Sequence, residues 1–469
     1  MTSTQPGAEL PRAAGATLTE QLASRFADRI AQRLLAPGAR LPSVRDCAAR
    51  LGVSASTVVS AYDLLQARGL VHARPQRGFF VREAPAAPPA AAHRARAAMP
   101  APVDATALIR GMFQAQDGPP APGMGTLPAA WLDAPLLQRA LRRVCATPEA
   151  WLHYGEPAGD AGLRGALAQR LADIGISAAP SQIVTTVGAT HALDLVSRTL
   201  LQPGDAVLVD EPGWAVEYAR LTRLGMRLLP VPRGPDGPDL AVMEALLHAH
   251  RPRVYVTVSV LHNPTGHSLT PAQAHQVLRL AEAHDLTLIE DDTYSWLAPA
   301  HATRLAQLDG LKRTVYVSGF SKILVPQWRV GFVACAPALA ERLIDTKLLA
   351  TLTTPAPLEQ AVALCLQQGG LRRHAERVVQ RLDAARERTV RLARAAGCRF
   401  VAPPAGLFGW VDVGADTEAL ALALLHEGSL TAPGSLFHAT PRPTTLMRVN
   451  FASAQEPRFW QRLRALAAR

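Results

Sequence analysis

Apolar residues recur at four-residue spacing at Leu18, Leu22, Phe26, Ile30 and Leu34, which predicts one buried stripe on a first helix ending before Pro37-Gly38. Ser43, with Asp46 three residues on, has the form of a capping box and predicts a second helix through Leu51. Gly52 ends that helix, and Ser54 is placed to cap a third running to about Arg68. LVHAR, the turn PQRG and FFV then read as a short hairpin. Two short helices joined by a tight glycine-containing turn make a helix-turn-helix, with the later helix free to enter a DNA major groove and the hairpin as a wing.

The pattern changes after Arg82. EAPAAPPAAAHRARAAMPAP is rich in Ala and Pro and carries neither β-branched residues nor a helical stripe, so residues 83–105 are expected to be a linker. Extended at ~3.1 Å per residue it would reach on the order of 60 Å, enough for its flanking domains to move independently. Beyond it the apolar runs IVTTV, AVLVDEP, RVYVTVSV, LTLIEDD, TVYVSG and GFVACA alternate with amphipathic helical stretches. That alternation predicts an α/β domain with a largely parallel central sheet and functional residues at the strands' carboxyl ends. The expected organisation is a DNA-binding domain at 14–82 and a second domain at 125–469, with a large lobe at about 150–350 and a smaller, mostly helical lobe at about 355–469.

Composition sharpens this division. A chain of 469 residues is too long for one compact core. It contains no apolar run near the ~20 residues of a membrane span, and its start lacks the features of a secretory signal, so a cytoplasmic protein with no membrane partner is expected. Its five cysteines, Cys47, Cys145, Cys335, Cys365 and Cys398, show no metal spacing. Of the net charge of +11, residues 1–82 contribute +6, from eleven Arg against five acidic residues, so a polyanion would engage that end. Of 49 basic residues only Lys312, Lys322 and Lys347 are lysine, leaving 46 arginines. A chain that otherwise prefers arginine keeps lysine where a deprotonatable amine is required, which marks Lys322. Asparagine is equally rare, at Asn263 and Asn450 alone.

The segment PGARLPSVRDCAARLGVSASTVVSAYDLLQARGLVHARPQRGFFV resembles the winged helix-turn-helix of GntR-type bacterial regulators over nearly its whole length. The resemblance implies phosphate and base contacts from Arg40 and Arg45 flanking the second helix, and from Ser54, Ser56 and Thr57 at the start of the recognition helix. It implies wing contacts from Arg74, Gln76 and Arg77. Ala55 stands where the family commonly has Arg, which removes one bidentate contact to guanine.

Residues from about 125 to 469 resemble fold type I aminotransferases, and the whole arrangement resembles the MocR subgroup of GntR regulators. The strongest segment is SGFSKILVPQWRVGF. By resemblance Lys322 forms the Schiff base with pyridoxal 5′-phosphate (PLP), and Arg329, helped by Ser321, grips its phosphate. VGATHAL opens a helix after a strand, so the amides of Gly188, Ala189 and Thr190 are expected to cradle the same phosphate. The family pattern further implies Trp214 stacked on the pyridine ring, Asn263 and Tyr294 at its phenolic oxygen, and Asp291 at its nitrogen, with Asp292 the rival. Tyr154 matches a tyrosine that reaches the partner subunit's phosphate, implying a homodimer, and Arg448 matches the arginine that pairs with a substrate carboxylate. Two positions depart from the pattern: Gly319 replaces a hydroxyl residue, leaving Ser321 or Ser318 for the phosphate, and Gln327-Trp328 precedes Arg329.

These readings lead to a PLP-dependent transcription regulator that binds an operator of two half-sites and senses PLP, an amino acid or an amine. The alternative is an active aminotransferase with a DNA-binding extension, for which Lys322, Asp291 and Tyr294 would be catalytic.

Overall fold

A computed structural model of the chain describes residues 17–31, 35–36, 38–74, 77–82, 121–147 and 152–468. Leu34, Pro37, Gln76 and the linker 83–105 lie outside the described residues. The chain divides into two compact units, residues 1–99 and 100–469.

The first unit contains α1 (Leu18–Ala31), α2 (Val44–Leu51), α3 (Ala55–Ala67) and the antiparallel pair β1 (Val71–Arg74) and β2 (Gly78–Val81). Its ends are set by local chemistry. Ser43 accepts from the Asp46 amide and caps α2, Gly52 closes α2 in the left-handed region, and Ser54 accepts from the Thr57 amide and caps α3. The stripe on α1 is narrower than its spacing predicts: Leu22 and Phe26 are buried, but Leu18 is 41% exposed, with no element among the described residues covering the first turn. The core closes around Tyr62, which meets Phe26 and Phe79 edge-on and donates to the Pro42 carbonyl. Residues 38–41 pair with the wing, through Leu41 N to Phe79 O and Val81 N to Ala39 O, each 2.9 Å.

The second unit is built on an eight-stranded sheet. Its strands are β3 (Ile183–Thr186), β4 (Ala206–Glu211), β5 (Arg227–Gly234), β6 (Gly237–Pro238), β7 (Val254–Thr257), β8 (Thr287–Asp291), β9 (Thr314–Gly319) and β10 (Gly331–Ala334), in the order β3-β10-β9-β8-β7-β4-β5-β6. Neighbours from β9 to β5 run parallel, while β10 is antiparallel to both of its neighbours and β6 to β5. The predicted strands are all present in a mixed, mostly parallel sheet. β5 escapes the pattern reading because Pro230 and Pro232 interrupt its apolar run. Valines and isoleucines fill the strands on both faces, as helices cover both sides.

The smaller lobe holds the antiparallel sheet β11 (Arg399–Phe400), β12 (Phe408–Asp412), β13 (Ala432–Pro433) and β14 (Leu446–Asn450), in the order β11-β12-β14-β13. Residues 121–124, upstream of the expected start at 125, are integral to this unit: Gly123 N donates to Leu430 O and Asn450 N to Pro122 O, both 2.8 Å.

Candidate cofactor site and nucleic-acid interface

The sheet delivers its chemistry at the carboxyl ends of β3, β4, β7, β8 and β9, where a parallel arrangement leaves a crevice. Lys322 follows β9, is half-buried, and donates to the Gly125 carbonyl at 2.7 Å. Burial, with the nearby Arg448 cation, lowers its ammonium to about 8 against the pull of Asp291. At neutral pH roughly a tenth of this lysine is therefore the free amine, far more than for a lysine in its ordinary range.

Asp291 ends β8 and is 8% exposed. Its Oδ1 accepts from the Thr293 amide at 3.1 Å and from the Thr293 hydroxyl. Burial pushes its carboxyl up to about 6. Asp292 is differently engaged: Arg304 donates to it at 2.6 Å and Tyr316 at 2.8 Å, both from buried positions. Asp292 is thus committed to a structural ion pair, and Asp291 has no cation partner among the described residues.

Arg448 lies on β14 and is buried. It donates to Asn263 Oδ1 at 3.1 Å and to Gly123 O at 2.6 Å, its guanidinium carbon sits 4.3 Å from the Phe408 ring centre, and its Nε has no partner among the described residues. Burial lowers it to about 10. Tyr294 is buried and packs edge-on to Phe408, on the side of Asn263; burial raises its phenol above the ordinary range. Lys322, Asp291, Asn263, Tyr294 and Arg448 are brought together in one pocket by four separate strand or loop ends.

At the other side of the pocket, helix α4 (Gly188–Leu200) starts directly after β3. Gly188 has φ +76°, and a Cβ there would lie 2.6 Å from the Arg329 guanidinium, so glycine keeps the helix start and the arginine close. Arg329 donates to Ser321 Oγ and to Val187 O, each at 3.3 Å. At Gly319 a Cβ would stand 3.2 Å from Val330 O and 3.5 Å from Ala189 N, a close fit among β9, β10 and the start of α4. Ser318 does not face the phosphate side, because it donates to Asp292 O at 2.8 Å. Trp214 is half-buried at the start of helix Ala215–Arg223 and packs, with Ala189, on the same apolar cluster; Thr190 is half-buried in the first turn of α4. Tyr154 is 84% exposed and makes no contact with this pocket.

The donor set fits PLP. Helix amides, Ser321 and Arg329 form a cradle that could hold a phosphate, the buried Asp291 carboxylate suits a pyridinium nitrogen, and a lysine of lowered basicity suits an aldehyde. Asn450, Gly123 and Gly125 were not foreseen as part of the site. The rarity of asparagine is the signal that pointed at Asn450 and was not followed.

In the first unit Arg40, Arg45, Arg74 and Arg77 are exposed, and none pairs with a carboxylate among the described residues. Arg40 is carried by the wing, its backbone bridged to Phe80, and Arg74 lies 4.8 Å above the Phe80 ring. Ser54, Ser56 and Thr57 form a hydroxyl cluster at the start of α3, with Ser54 Oγ 2.8 Å from Ser56 Oγ and 2.7 Å from Thr57 Oγ1. Gln76 lies outside the described residues.

A winged helix-turn-helix joined to a PLP-type crevice defines the class, and comparison with known proteins gives the family. The chain belongs to the family of class I and II aminotransferases, matched over residues 126–462, and its residues 18–81 match the bacterial regulatory proteins of the gntR family. The combination is that of MocR-type regulators, and PLP is the cofactor of this aminotransferase family. The chain is 33% identical to YdcR of Escherichia coli (strain K12), named an uncharacterized HTH-type transcriptional regulator, covering 92% of this chain and 94% of that protein. It is 32% identical to the HTH-type transcriptional regulator TauR of Rhodobacter capsulatus, covering 86% and 85%. Among solved structures it resembles LysN, the α-aminoadipate aminotransferase of Thermus thermophilus complexed with N-(5′-phosphopyridoxyl)-L-leucine, with TM-score 0.70 and 26% identity over 77% of this chain and 95% of that one.

Proposed function

We propose that this chain is a DNA-binding transcription regulator whose second unit holds PLP on Lys322 and senses through it an amino acid, an amine or PLP itself. The observation that carries this reading is the union, in one chain, of a GntR-type unit with a complete PLP donor set, matched along most of its length by proteins named as regulators. Its place of action is DNA in the cytoplasm. A homodimer binding two half-sites fits the exposed apolar surface at Leu152, Tyr154, Leu349 and Leu352; Tyr154 would then serve the partner's phosphate.

When bound, PLP supplies an electron sink. The chain's own residues do the rest. Lys322 offers a neutral amine, and Asp291 holds a negative charge beside the ring nitrogen. Arg329, Ser321 and the amides at Gly188, Ala189 and Thr190 orient the phosphate. Asn263 and Tyr294 would hold the ring's phenolic oxygen, and Arg448 would present its planar fork to a carboxylate. Arg40, Arg45, the α3 hydroxyls and the wing arginines hold the DNA backbone.

A second reading, a working aminotransferase, is favoured by the convergence of Lys322, Asp291, Asn263, Tyr294 and Arg448. One set of measurements on the full chain decides: the visible spectrum, affinity for operator DNA selected from a random duplex library with and without PLP, and steady-state amino-acid turnover. A cofactor band, ligand-dependent DNA affinity and negligible turnover are expected. Sustained turnover with DNA affinity indifferent to PLP and amino acids would make the enzyme reading primary, and no band after added PLP would overturn both.

A further inference from the structure

We propose that Asn450 is a positioning residue that ties residues 121–126 as a strap across Lys322 and Arg448, and that seating ligands on those two side chains loosens the strap.

Every carbonyl from Ala121 to Thr126 has a donor. Ala121 O accepts from Ser453 Oγ at 3.0 Å, and Pro122 O from Asn450 N at 2.8 Å. Residues 122–123 form a turn, closed by Met124 N donating to Ala121 O at 3.0 Å, and beyond it the carbonyl partners alternate. Gly123 O accepts from Arg448 and Gly125 O from Lys322, at 2.6 and 2.7 Å. Met124 O and Thr126 O accept from the two amide hydrogens of Asn450, at 3.0 and 2.9 Å, while its Oδ1 is fixed by Ala452 N at 2.9 Å. One edge of the strap is thus wired to the two residues that meet ligands, and the other to a single asparagine. Gly123 must be glycine, since a Cβ would lie 2.4 Å from the Thr431 carbonyl carbon.

The consequence follows from which donors are spent on ligand. Once Lys322 is joined to PLP its nitrogen is no longer a free amine directed at Gly125 O. A carboxylate drawn to Arg448 competes with Gly123 O for the same fork. Asn450 keeps both its side-chain bonds, alongside the ties of Ala121 O to Ser453 and of Gly123 N to Leu430 O upstream. Site occupancy is therefore converted into the order of a segment whose upstream end continues along the chain towards the DNA-binding unit. This inference rests on the PLP reading of Lys322 and names how that site is reported.

Hydrogen exchange of peptides spanning 121–127 in the full chain tests it. PLP is expected to speed exchange there by about fivefold in the wild type, the effect of one lost hydrogen bond. Asn450→Asp keeps the size and the Ala452 bond but turns two donors into acceptors facing carbonyls. It should exchange fast with or without PLP while retaining the visible cofactor band. Lys322→Met should be fast already and indifferent to PLP. A wild-type strap equally protected with and without PLP, or an Asn450→Asp strap as protected as the wild type, overturns the proposal. Measuring affinity for the selected operator in the same samples separates the two readings. A strap that loosens without any change in DNA affinity supports the strap and sinks the regulator, and DNA affinity that responds while the strap stays protected does the reverse.

Discussion

The two units use the same side chain in opposite ways. Arg40, Arg45, Arg74 and Arg77 stand in water, free of carboxylate partners among the described residues, whereas Arg448 is buried, bonded to Asn263 and Gly123, and stacked on Phe408. An exposed guanidinium keeps its hydration and acts mainly as charge, so its contribution to DNA binding is additive and salt-dependent. A buried one has already lost its water; its geometry is fixed and its loss strands other groups. The first unit is therefore expected to degrade gradually under substitution and the second abruptly.

The largest effect should come from Lys322→Ala. Removing the amine is expected to abolish the visible band of bound PLP while leaving DNA affinity in the absence of ligand unchanged. Absorbance of the purified variant, with DNA titration alongside, checks it; a band identical to wild type would contradict the role of Lys322, and joint loss of band and DNA binding would contradict the separateness of the units.

Arg448→Ala comes next. Truncating a buried, hydrogen-bonded charge typically costs about 2–5 kcal/mol, so affinity for a carboxylate-bearing amino acid should fall by roughly 30-fold or more. The PLP band should persist, because Arg448 has no part in the phosphate cradle. Spectral titration with an L-amino acid and with the alkylamine that lacks only its carboxylate separates the roles. Equal losses for both ligands would mean that Arg448 supports the pocket and not the carboxylate.

A smaller, graded effect is expected from pH. Attachment of PLP requires the neutral amine, and Lys322 titrates near 8 instead of in the ordinary lysine range near 10.4. Below 8 the loading rate of the apoprotein should rise about tenfold per pH unit, and above 8 it should level off. Stopped-flow absorbance between pH 6 and about 10 reads this directly. A rate still climbing at about pH 9.5 would show that burial and Arg448 do not set the amine's acidity.

These contrasts also explain what the sequence disclosed. The first unit is legible because its signals are local: Ser43 with Asp46, Gly52 and Ser54 act within four residues, and each occupies its predicted place. Lys322 and Asn263 were marked by compositional rarity together with motif. Asn450 was equally rare but went unread, because its partners Met124 and Thr126 lie more than 300 residues away and follow no periodicity. The strap's first residues, 121–124, fell outside the expected domain for a related reason: a Gly- and Pro-rich turn segment has neither a helical nor a strand period, and what orders it is side chains from β14 and from the loop after β9. Gly319 looked like a weakened phosphate site from sequence; the structure relates it to the close approach of β9, β10 and the start of α4.

The smallest effect concerns the exposed arginines, and it tests the contrast most sharply. If Arg45 contacts phosphate alone, Arg45→Ala should weaken binding only a few-fold at moderate salt and lower the slope of log affinity against log salt by about one. Arg77→Ala should do the same, and the double variant should lower the slope by about two, since well-separated phosphate contacts add. Fluorescence anisotropy on the selected operator and on a scrambled duplex, across a salt series, measures both quantities. Parallel losses on the two duplexes would confirm that these arginines act as charge. A loss confined to the operator would instead give one of them a base contact, and with it a fixed geometry resembling that of Arg448, so that the contrast between wet and buried guanidinium would fail in the first unit.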